Sequence, residues 1–358
     1  MSRKSHRAAV AGEGPGDGTA AMPEHARYED IAAAPPPELS PAPATGRTSG
    51  ASKAFLRTGR VRYCELTSSY IKPGGRVTHY LIGLVGSGIG PSLSPALHER
   101  EAAELGLRYT YRLLDLDELG QPVGEVLAAA RAEGFHGLNI THPGKQAVLA
   151  HLDDLVPEAA ALGAVNTVVF DGGKAVGHNT DATGFARSVR RGLPGARMQD
   201  VVLLGAGGAG AAVGHALLSL GTGRLGVHDV DPERAEGLVA ALKHRFGADR
   251  AVTCGPDAVR TADGLVHATP TGMAAHPGLP IDESVLREDL WVADIVYRPL
   301  ETALLAAARA RGCRVLHGGG MVVLQAAESL RLFTGVEPDA ARMLAHFEEL
   351  EGEPAHAS

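Results

Sequence analysis

The chain of 358 residues is short of aromatic residues and of long apolar runs, and each shortage excludes something. Aromatic residues make up 4% of the sequence against 44% hydrophobic residues overall, so the cores must rely on alanine, valine and leucine. No run reaches the roughly 18 apolar residues that a membrane-spanning helix needs, and the N-terminus lacks the apolar stretch of a signal peptide. The sequence therefore predicts a soluble cytoplasmic protein with no membrane partner.

Cysteine and basic charge are also sparse. The three cysteines, Cys64, Cys254 and Cys313, are widely separated and form no CxxC pair, which argues against a disulfide framework or a zinc ribbon. The 16 histidines show no HExxH pattern and no clustered ligand spacing, so no metal site is predicted. A formal net charge of −7, without a Lys/Arg block, argues against nucleic acid as a partner.

The length and the changing composition predict two domains after an extension. Residues 1–75 are rich in Gly, Pro, Ala and Ser and are predicted to be disordered, because they cannot bury enough apolar area. Residues 76–184 are predicted to form an α/β substrate-binding domain, with a hairpin at Asp171-Gly172-Gly173. Residues 185–318 alternate strands and helices in the order of a doubly wound parallel sheet, and residues 319–352 are helical.

Three local expectations concern helices. A single helix is predicted over residues 119–133 from its apolar periodicity. Ser94 is expected to cap the helix that follows it, although Ser92 and Ser94 could also present two hydroxyls on one side to a substrate carboxylate. Asp181 could equally cap the next helix along the chain or carry chemistry.

A dinucleotide site is predicted by a glycine-rich turn between an apolar strand and an alanine-rich helix. The turn consists of Gly205, Ala206, Gly207, Gly208, Ala209 and Gly210. It fits G-x-G-x-x-G, in which glycines let backbone N–H groups approach a pyrophosphate at a helix N-terminus. The next strand ends at Asp229, where a carboxylate would accept a hydrogen bond from a ribose 2′-hydroxyl and repel a 2′-phosphate. NAD is therefore expected in preference to NADP.

Two polar stretches precede this turn, and each lies beside a predicted strand. Residues 139–146 contain Lys145 at a predicted helix start, where the helix dipole disfavours a cation. Residues 177–185 contain Asp181. A lysine and an aspartate held in front of a dinucleotide site are expected for hydride transfer to or from a polar alcohol. Spacing alone does not bring the two side chains together.

At these residues the chain resembles the shikimate dehydrogenase family, including its quinate/shikimate branch. The resemblance covers about residues 78–350 and rests on an ordered set of motifs. They are Ser92-Leu93-Ser94-Pro95, Asn139-Ile140-Thr141 with Pro143 and Lys145, Ala164-Val165-Asn166-Thr167, Asn179-Thr180-Asp181 with Gly184-Phe185, the glycine-rich turn, Ala268-Thr269-Pro270-Thr271-Gly272-Met273, Asp294-Ile295-Val296-Tyr297, and Gly318 with Met321 and Gln325.

The resemblance implies a role for each matched residue. Lys145 and Asp181 would be the catalytic pair at the hydroxyl that is oxidised, and Ser92 and Ser94 would hold the substrate carboxylate. The other implied contacts are Thr141, Asn166 and Gln325 at the ring hydroxyls, Asn139 and Tyr297 in the same pocket, and Thr269, Pro270, Thr271, Met273, Ile295 and Gly318 on the nicotinamide side. The C-terminal helices would return to the first domain, so that Gln325 reaches the cleft.

Two departures bear on specificity. By the resemblance, the usual biosynthetic members of the family would carry Asn-Arg-Thr at the 2′-phosphate of NADP. This chain has His228-Asp229-Val230-Asp231 there, a sequence closer to that of the NAD-using branch. A serine at position 94, Ser94, resembles the loop of the shikimate-specific members of the family. Shikimate and quinate therefore both stay open as substrates. The alternatives are a catalytically idle NAD-binding regulator, a dehydrogenase for an aminated analogue, and a folate- or amino-acid-type dehydrogenase. A homodimer is left open as the assembly.

Overall fold

Two six-stranded sheets organise residues 79–352, the part of the chain that the computed structural model describes. The disordered extension predicted over residues 1–75 lies outside the described residues. The described residues all belong to one compact unit, and their cores consist mainly of valine, leucine and alanine. No helix among the described residues is both long enough and apolar enough to cross a membrane.

The first sheet is mixed and contains the predicted hairpin. Its strands are Tyr80–Gly86 (β1), Tyr109–Asp115 (β2), Gly137–Ile140 (β3), Asp154–Leu155 (β4), Thr167–Asp171 (β5) and Lys174–His178 (β6). They lie in the order β2-β1-β3-β5-β6-β4, with β1 parallel to β2 and β3 and antiparallel pairs β3–β5 and β5–β6. The turn between β5 and β6 has φ values of 54° at Gly172 and 82° at Gly173, which glycine adopts without strain. The predicted hairpin is confirmed.

Six helices accompany this sheet. They are Ser94–Glu104 (α1), Leu116–Leu119 (α2), Val123–Ala132 (α3), Gly144–Ala147 (α4), Pro157–Leu162 (α5) and Thr180–Gly192 (α6). The prediction of a single helix over residues 119–133 is wrong, because Gly120 ends α2 with a left-handed φ of 63°. Pro122 then occupies the cap position of α3 in an extended conformation, so the chain turns between the two helices.

The prediction that Ser94 caps the following helix is also wrong, and capping, one of the two alternatives left open for Asp181, is not what its side chain does. Ser94 is the first residue of α1, and the cap position belongs to Leu93, whose side chain makes no cap hydrogen bond. Asn179 caps α6, because its side-chain oxygen accepts the backbone N–H groups of Asp181 and Ala182 at 3.1 and 3.3 Å. The side chains of Ser94 and Asp181 are therefore not used to cap their own helices.

The second sheet is entirely parallel and doubly wound, as predicted. Its strands are Asp200–Leu204 (β7), Arg224–His228 (β8), Ala251–Thr253 (β9), Gly264–His267 (β10), Trp291–Asp294 (β11) and Arg314–Leu316 (β12), and its helices are Gly208–Ser219 (α7), Pro232–Phe246 (α8) and Ala303–Ala310 (α9). The strand order is β12-β11-β10-β7-β8-β9. The order reverses between β10 and β7, and open α/β sheets bind ligands at such a switch point, beyond the carboxyl ends of the strands.

Two C-terminal helices, Gly319–Thr334 (α10) and Ala340–Gly352 (α11), pack back against helices of the first sheet. A Cβ on Gly184 of α6 would lie 2.7 Å from the backbone nitrogen of Gln325, so a glycine allows α10 to approach this closely. The fully buried Glu101 of α1 pairs with Arg342 of α11 at 2.6 Å. These contacts place Gln325 at the edge of the first sheet.

Candidate active site

A cleft of about 600 Å³ opens between the carboxyl ends of the strands of the two sheets. Fourteen of the residues with a predicted catalytic or binding role line this cleft: Ser92, Ser94, Asn139, Thr141, Lys145, Asn166, Asp181, Ala209, Thr269, Pro270, Met273, Ile295, Tyr297 and Gln325. The lining does not include Gly205, Ala206, Gly207, Gly208, Gly210, Asp229, Thr271 or Gly318. Residues that are far apart in the sequence thus meet around one cavity.

Lys145 and Asp181, which sequence spacing could not join, form an ion pair. The Lys145 Nζ lies 2.6 Å from Asp181 Oδ2, and 23% of the lysine side chain and 9% of the aspartate side chain are exposed. Lys145 stands in the short helix α4 after β3, and Asp181 stands in the first turn of α6. The pair therefore faces the cleft from two different elements while its charges are largely withdrawn from water.

Asn166 fixes the second oxygen of the Asp181 carboxylate. Its Nδ2 donates to Asp181 Oδ1 at 2.9 Å and lies 2.9 Å from Thr180 Oγ1. Its Oδ1 accepts the backbone N–H of Thr180 at 2.7 Å. Both oxygens of the carboxylate are thus held by donors, which sets the direction from which the Lys145 Nζ enters the cleft.

A hydrogen-bond network joins this pair to the returning helix α10. Gln325 Oε1 accepts the Thr180 hydroxyl at 3.3 Å. The fully buried Ser329, one turn further on, lies 3.0 Å from Asn139 Nδ2, 3.1 Å from Thr167 Oγ1 and 3.2 Å from Thr180 Oγ1. The position of α10 therefore depends on the same hydroxyls and amides that surround the ion pair.

The two serines also line the cleft and contact each other. Ser92 Oγ lies 3.2 Å from Ser94 Oγ, and the backbone N–H of Ser94 donates to Ser92 Oγ at 3.2 Å. Behind them, Tyr111 donates to Asn139 Oδ1 at 2.9 Å, and burial raises the pKa of the Tyr111 phenol above its ordinary value, against a hydrogen bond to Ser94. The phenol stays neutral and supports the two hydroxyls that face the cavity.

The glycine-rich turn has the shape of a phosphate cradle. Gly205 has a φ of 102°, and a Cβ there would lie 2.5 Å from the carbonyl oxygen of Ala268, so the protein itself requires glycine at this position. Gly207 differs, because a Cβ on it would meet nothing within 4 Å. Gly207 precedes the first turn of α7, where the backbone N–H groups are unpaired and attract an anion. The space outside Gly207 and the helix N-terminus behind it fit a pyrophosphate.

Asp229 stands beside this turn at the end of β8. Its Oδ2 accepts the backbone N–H of Ala206 at 2.7 Å, and its Oδ1 accepts the backbone N–H of Asp231 at 2.9 Å. The nearby Arg234 is engaged with Asp231, at 3.2 Å. The carboxylate is held in place by the backbone, and this arginine is not directed at it.

The wall opposite the ion pair is formed by residues 268–273 and 295–297. The backbone N–H of Thr271 donates to Thr269 Oγ1 at 3.3 Å, and a Cβ on Gly272, at a φ of 96°, would lie 3.4 Å from Thr302. Gly318 lets its backbone pass against the carbonyl oxygen of Ile295. Burial raises the pKa of the Tyr297 phenol, which keeps that lining group neutral. The wall is mainly apolar, with few polar groups.

Three residues in or beside the cleft are not among the site residues that the sequence predicts. His142 and Arg298 line the cavity, and Arg298 also donates to the carbonyl oxygen of Pro91 at 2.8 Å. Both stand next to matched motifs, so adjacency was the one signal available for them. Ser329 had none, because its place depends on the packing of α10. Among residues 79–352, no group of three or more His, Cys, Asp and Glu side chains could hold a metal ion.

The family model described as "Shikimate dehydrogenase substrate binding domain" matches residues 84–168. A shikimate dehydrogenase (NADP(+)) from Streptomyces avermitilis is 63% identical to the chain over 283 residues, which span 77% of this chain and 97% of the relative. A quinate/shikimate dehydrogenase (NAD(+)) from Corynebacterium efficiens is 50% identical over 277 residues, which span 75% of this chain and 97% of the relative.

A solved structure has the same architecture. It is a quinate dehydrogenase from Corynebacterium glutamicum in complex with NAD, and it superposes with a TM-score of 0.73 at 47% sequence identity. The match covers 76% of this chain and 99% of that chain. The two curated relatives and this structure thus differ in the cofactor that their names carry, NADP in one and NAD in two.

Proposed function

Because the chain belongs to the shikimate dehydrogenase family, we propose that it oxidises and reduces a carboxylated cyclic polyol with NAD as the preferred cofactor. The expected substrate is shikimate, interconverted with 3-dehydroshikimate, and quinate is the second substrate to be tested. The observation that carries this proposal is the 2.6 Å pair between Lys145 and Asp181, which lines the same cleft as Ala209 of the glycine-rich turn.

The proton chemistry belongs to Lys145. In the oxidation direction the neutral amine form of Lys145 takes the proton of the reacting hydroxyl and becomes the ammonium that pairs with Asp181. In the reduction direction that ammonium gives the proton to the carbonyl oxygen and returns to the neutral amine. Asp181 and Asn166 hold Nζ in place through the carboxylate, so little reorganisation is needed at the moment of transfer. When bound, the nicotinamide takes up or supplies the hydride at the substrate carbon that bears this hydroxyl or carbonyl oxygen.

The serine pair supports an anionic end on the substrate. In the structure the Ser92 hydroxyl donates to Ser94 Oγ at 3.2 Å, and by rotation each hydroxyl can instead donate its proton to one substrate carboxylate. Gln325 and Asn166 also line the cleft, and their amide groups suit ring hydroxyls. A ligand with one carboxylate and several hydroxyls would find hydrogen-bond partners for both kinds of group in this cleft.

The preference for NAD rests on Asp229. A 2′-phosphate next to this carboxylate would bring two negative charges together, whereas a 2′-hydroxyl could donate to it. Arg234, in the first turn of α8, pairs with Asp231 at 3.2 Å. The curated relatives include both NADP-named and NAD-named enzymes, so this residue is the argument for NAD.

The test is a nicotinamide absorbance assay with shikimate and quinate, each crossed with NAD⁺ and NADP⁺. Turnover of shikimate with a much lower KM for NAD⁺ is expected. Equal or better kinetics with NADP⁺ would refute the cofactor preference, and turnover of quinate alone would reverse the substrate order. Cofactor binding without turnover of either substrate would favour the idle regulator over the enzyme.

A further inference from the structure

A buried histidine ends the strand at the switch point of the second sheet. His267 is the last residue of β10 and is fully buried, and its neighbour across the parallel ladder is Asp294, the last residue of β11. On the other side His267 pairs with Leu204, which leads directly into the glycine-rich turn. An ionisable pair thus lies directly under the floor of the cleft, where neither side chain reaches solvent.

The hydrogen-bond partners of Asp294 determine which ring nitrogen of His267 carries the hydrogen. The carboxylate receives the Val296 backbone N–H at 3.0 Å and the Thr302 hydroxyl at 2.7 Å, and it lies 2.9 Å from His267 Nδ1. Thr302 is kept in place because it also caps α9 by accepting the backbone N–H of Leu305. An acceptor-only carboxylate requires His267 Nδ1 to carry the hydrogen, so in the neutral ring Nε2 is the acceptor.

The orientation of one hydroxyl in the cleft follows from this tautomer. Thr269 Oγ1 lies 2.5 Å from His267 Nε2, so the threonine donates its only hydroxyl proton into the protein. The oxygen is left with acceptor capacity alone, of which the backbone N–H of Thr271 takes part at 3.3 Å. Thr269 therefore presents an acceptor, and no donor, to the cavity that it lines.

Thr269 also touches the phosphate cradle. A Cβ on Gly205 would lie 3.0 Å from Thr269 Cγ2, so the threonine methyl packs directly against the first glycine of the turn. A change at His267 would therefore be felt at Thr269 and, through it, beside the turn. The chain of contacts runs from the cap of α9 to the wall of the cleft without passing through solvent.

We propose that His267, oriented by Asp294, is a positioning residue that fixes Thr269 as a pure hydrogen-bond acceptor on the cofactor wall. This inference rests on the proposed function, since a dinucleotide cofactor carries a carboxamide whose N–H groups suit such an acceptor. His267 itself touches neither substrate nor cofactor. Its contribution is the direction of one hydroxyl proton and the fixed place of one side chain.

The test is a double-mutant cycle on the dissociation constant of NADH, measured by fluorescence titration of the full-length protein without substrate. In His267→Asn the amide nitrogen can replace Nδ1 at Asp294 but does not extend to Thr269, and Thr269→Val removes the hydroxyl. Each single variant is expected to weaken NADH binding about 5- to 10-fold, as for one lost neutral hydrogen bond. The double variant should bind no more weakly than either, because both changes remove one interaction.

The proposal would be overturned if the double variant raised the NADH dissociation constant by the product of the two single-variant factors. Unchanged NADH binding in the single variants would overturn it as well. His215→Asn is the matched control, because His215 is also buried in the same sheet's helix layer but lies outside the cleft lining. It should change the melting temperature and leave the NADH dissociation constant within about twofold. Failure of the unmodified protein to bind NADH would overturn the proposed function as well, which separates the two failures.

A second measurement needs no change at His267. Nitrogen NMR of the ¹⁵N-histidine-labelled protein, with the His267 ring identified by its response to Thr269→Val, reports which ring nitrogen carries the hydrogen. The expected result is a protonated Nδ1 and an unprotonated Nε2 at neutral pH. A ring protonated at Nε2 would reverse the Thr269 hydrogen bond and sink the assignment, even if His267→Asn failed to fold.

Discussion

The wall of the cleft that carries Lys145 and the wall that carries the glycine-rich turn differ in what fixes them. On the first wall, side chains hold one another: Asn166 holds Asp181, which holds Lys145. On the second wall, the backbone conformation defines the surface, through the left-handed Gly205 and the open space at Gly207. One wall is specified by contacts between distant elements and the other by local conformation.

This difference predicts where each wall is sensitive. A side-chain network fails when one functional group is removed, even if the fold survives. A backbone cradle tolerates the loss of side chains and fails when a Cβ is added, because an added carbon either clashes or fills the ligand space. Changes on the first wall should therefore appear in turnover, and changes on the second wall should appear in stability or in cofactor affinity.

The largest effect is expected from Lys145→Ala, which removes the proton acceptor while leaving the cofactor wall intact. Turnover of shikimate should fall about 10²- to 10⁴-fold with only a modest change in KM. Steady-state absorbance kinetics measure both parameters. Lys174→Ala, at an exposed position in the β5–β6 hairpin, is the matched control and should retain turnover. A Lys145→Ala enzyme within about threefold of the wild type would rule out the assigned role.

The next largest effect is a pH dependence of stability that comes from a histidine buried behind the first wall. Burial lowers the pKa of His98 from 6.5 to about 3, and its Nδ1 lies 3.1 Å from the hydroxyl of Tyr109. The unfolded chain binds a proton near pH 6.5 that the folded protein refuses until about pH 3, so stability is complete above pH 6.5 and falls on acidification. From pH 6 to pH 4 this one group should cost roughly 2–3 kcal/mol of unfolding free energy.

Urea unfolding at a series of pH values measures that loss, and His98→Asn should make the acid slope shallower. His215, behind the second wall, acts in the same direction, because burial followed by the charge of Arg245 lowers its pKa to about 4. His215→Asn should therefore also flatten the slope, over a narrower range. An unchanged acid slope in His98→Asn would mean that this histidine is not buried in its neutral form.

The same contrast between walls explains what the sequence could predict. The glycine-rich turn, the hairpin at Gly172-Gly173 and the doubly wound sheet were predictable, because each depends on local spacing or on alternating elements. The capping role of Asn179 was missed, since aspartate and asparagine are both good caps and the sequence cannot rank two candidates that are only two residues apart.

The geometry of the first wall could not be predicted from spacing. The 2.6 Å pair joins residues 36 positions apart, and it forms only because α4 and α6 both begin at the same edge of the first sheet. Ser329 was invisible, because a serine inside a helix shows no pattern until its neighbours are known. The roles carried over from the family resemblance named the pair, and the fold supplies the distance between its atoms.

On the second wall, two glycines of one motif should respond in opposite ways. Gly205→Ala forces a Cβ against the carbonyl oxygen of Ala268 at a φ of 102° and should cost about 1–3 kcal/mol of stability. Gly207→Ala meets no protein atom within 4 Å at a φ of −73°, so its melting temperature should hardly change. It should instead weaken NADH binding about tenfold or more, by occupying the face where the pyrophosphate approaches.

Thermal unfolding and NADH titration on the same two proteins separate these effects. A stable Gly205→Ala variant would contradict the strain assigned to the turn. Normal NADH affinity in Gly207→Ala would mean that the cofactor does not approach this surface, and it would weaken the case for the cradle without touching the proposed chemistry at Lys145.

The smallest effect is expected from Ser329→Ala, which tests how far the side-chain network reaches. The buried hydroxyl lies within 3.2 Å of Asn139, Thr167 and Thr180, so its loss leaves polar atoms with fewer partners and should cost about 1–2 kcal/mol of unfolding free energy in urea. Ser219→Ala, at the exposed end of α7, is the control and should stay within about 0.5 kcal/mol. If turnover also falls severalfold, the network positions Asp181 through Thr180 and Asn166; if stability alone falls, it merely anchors α10.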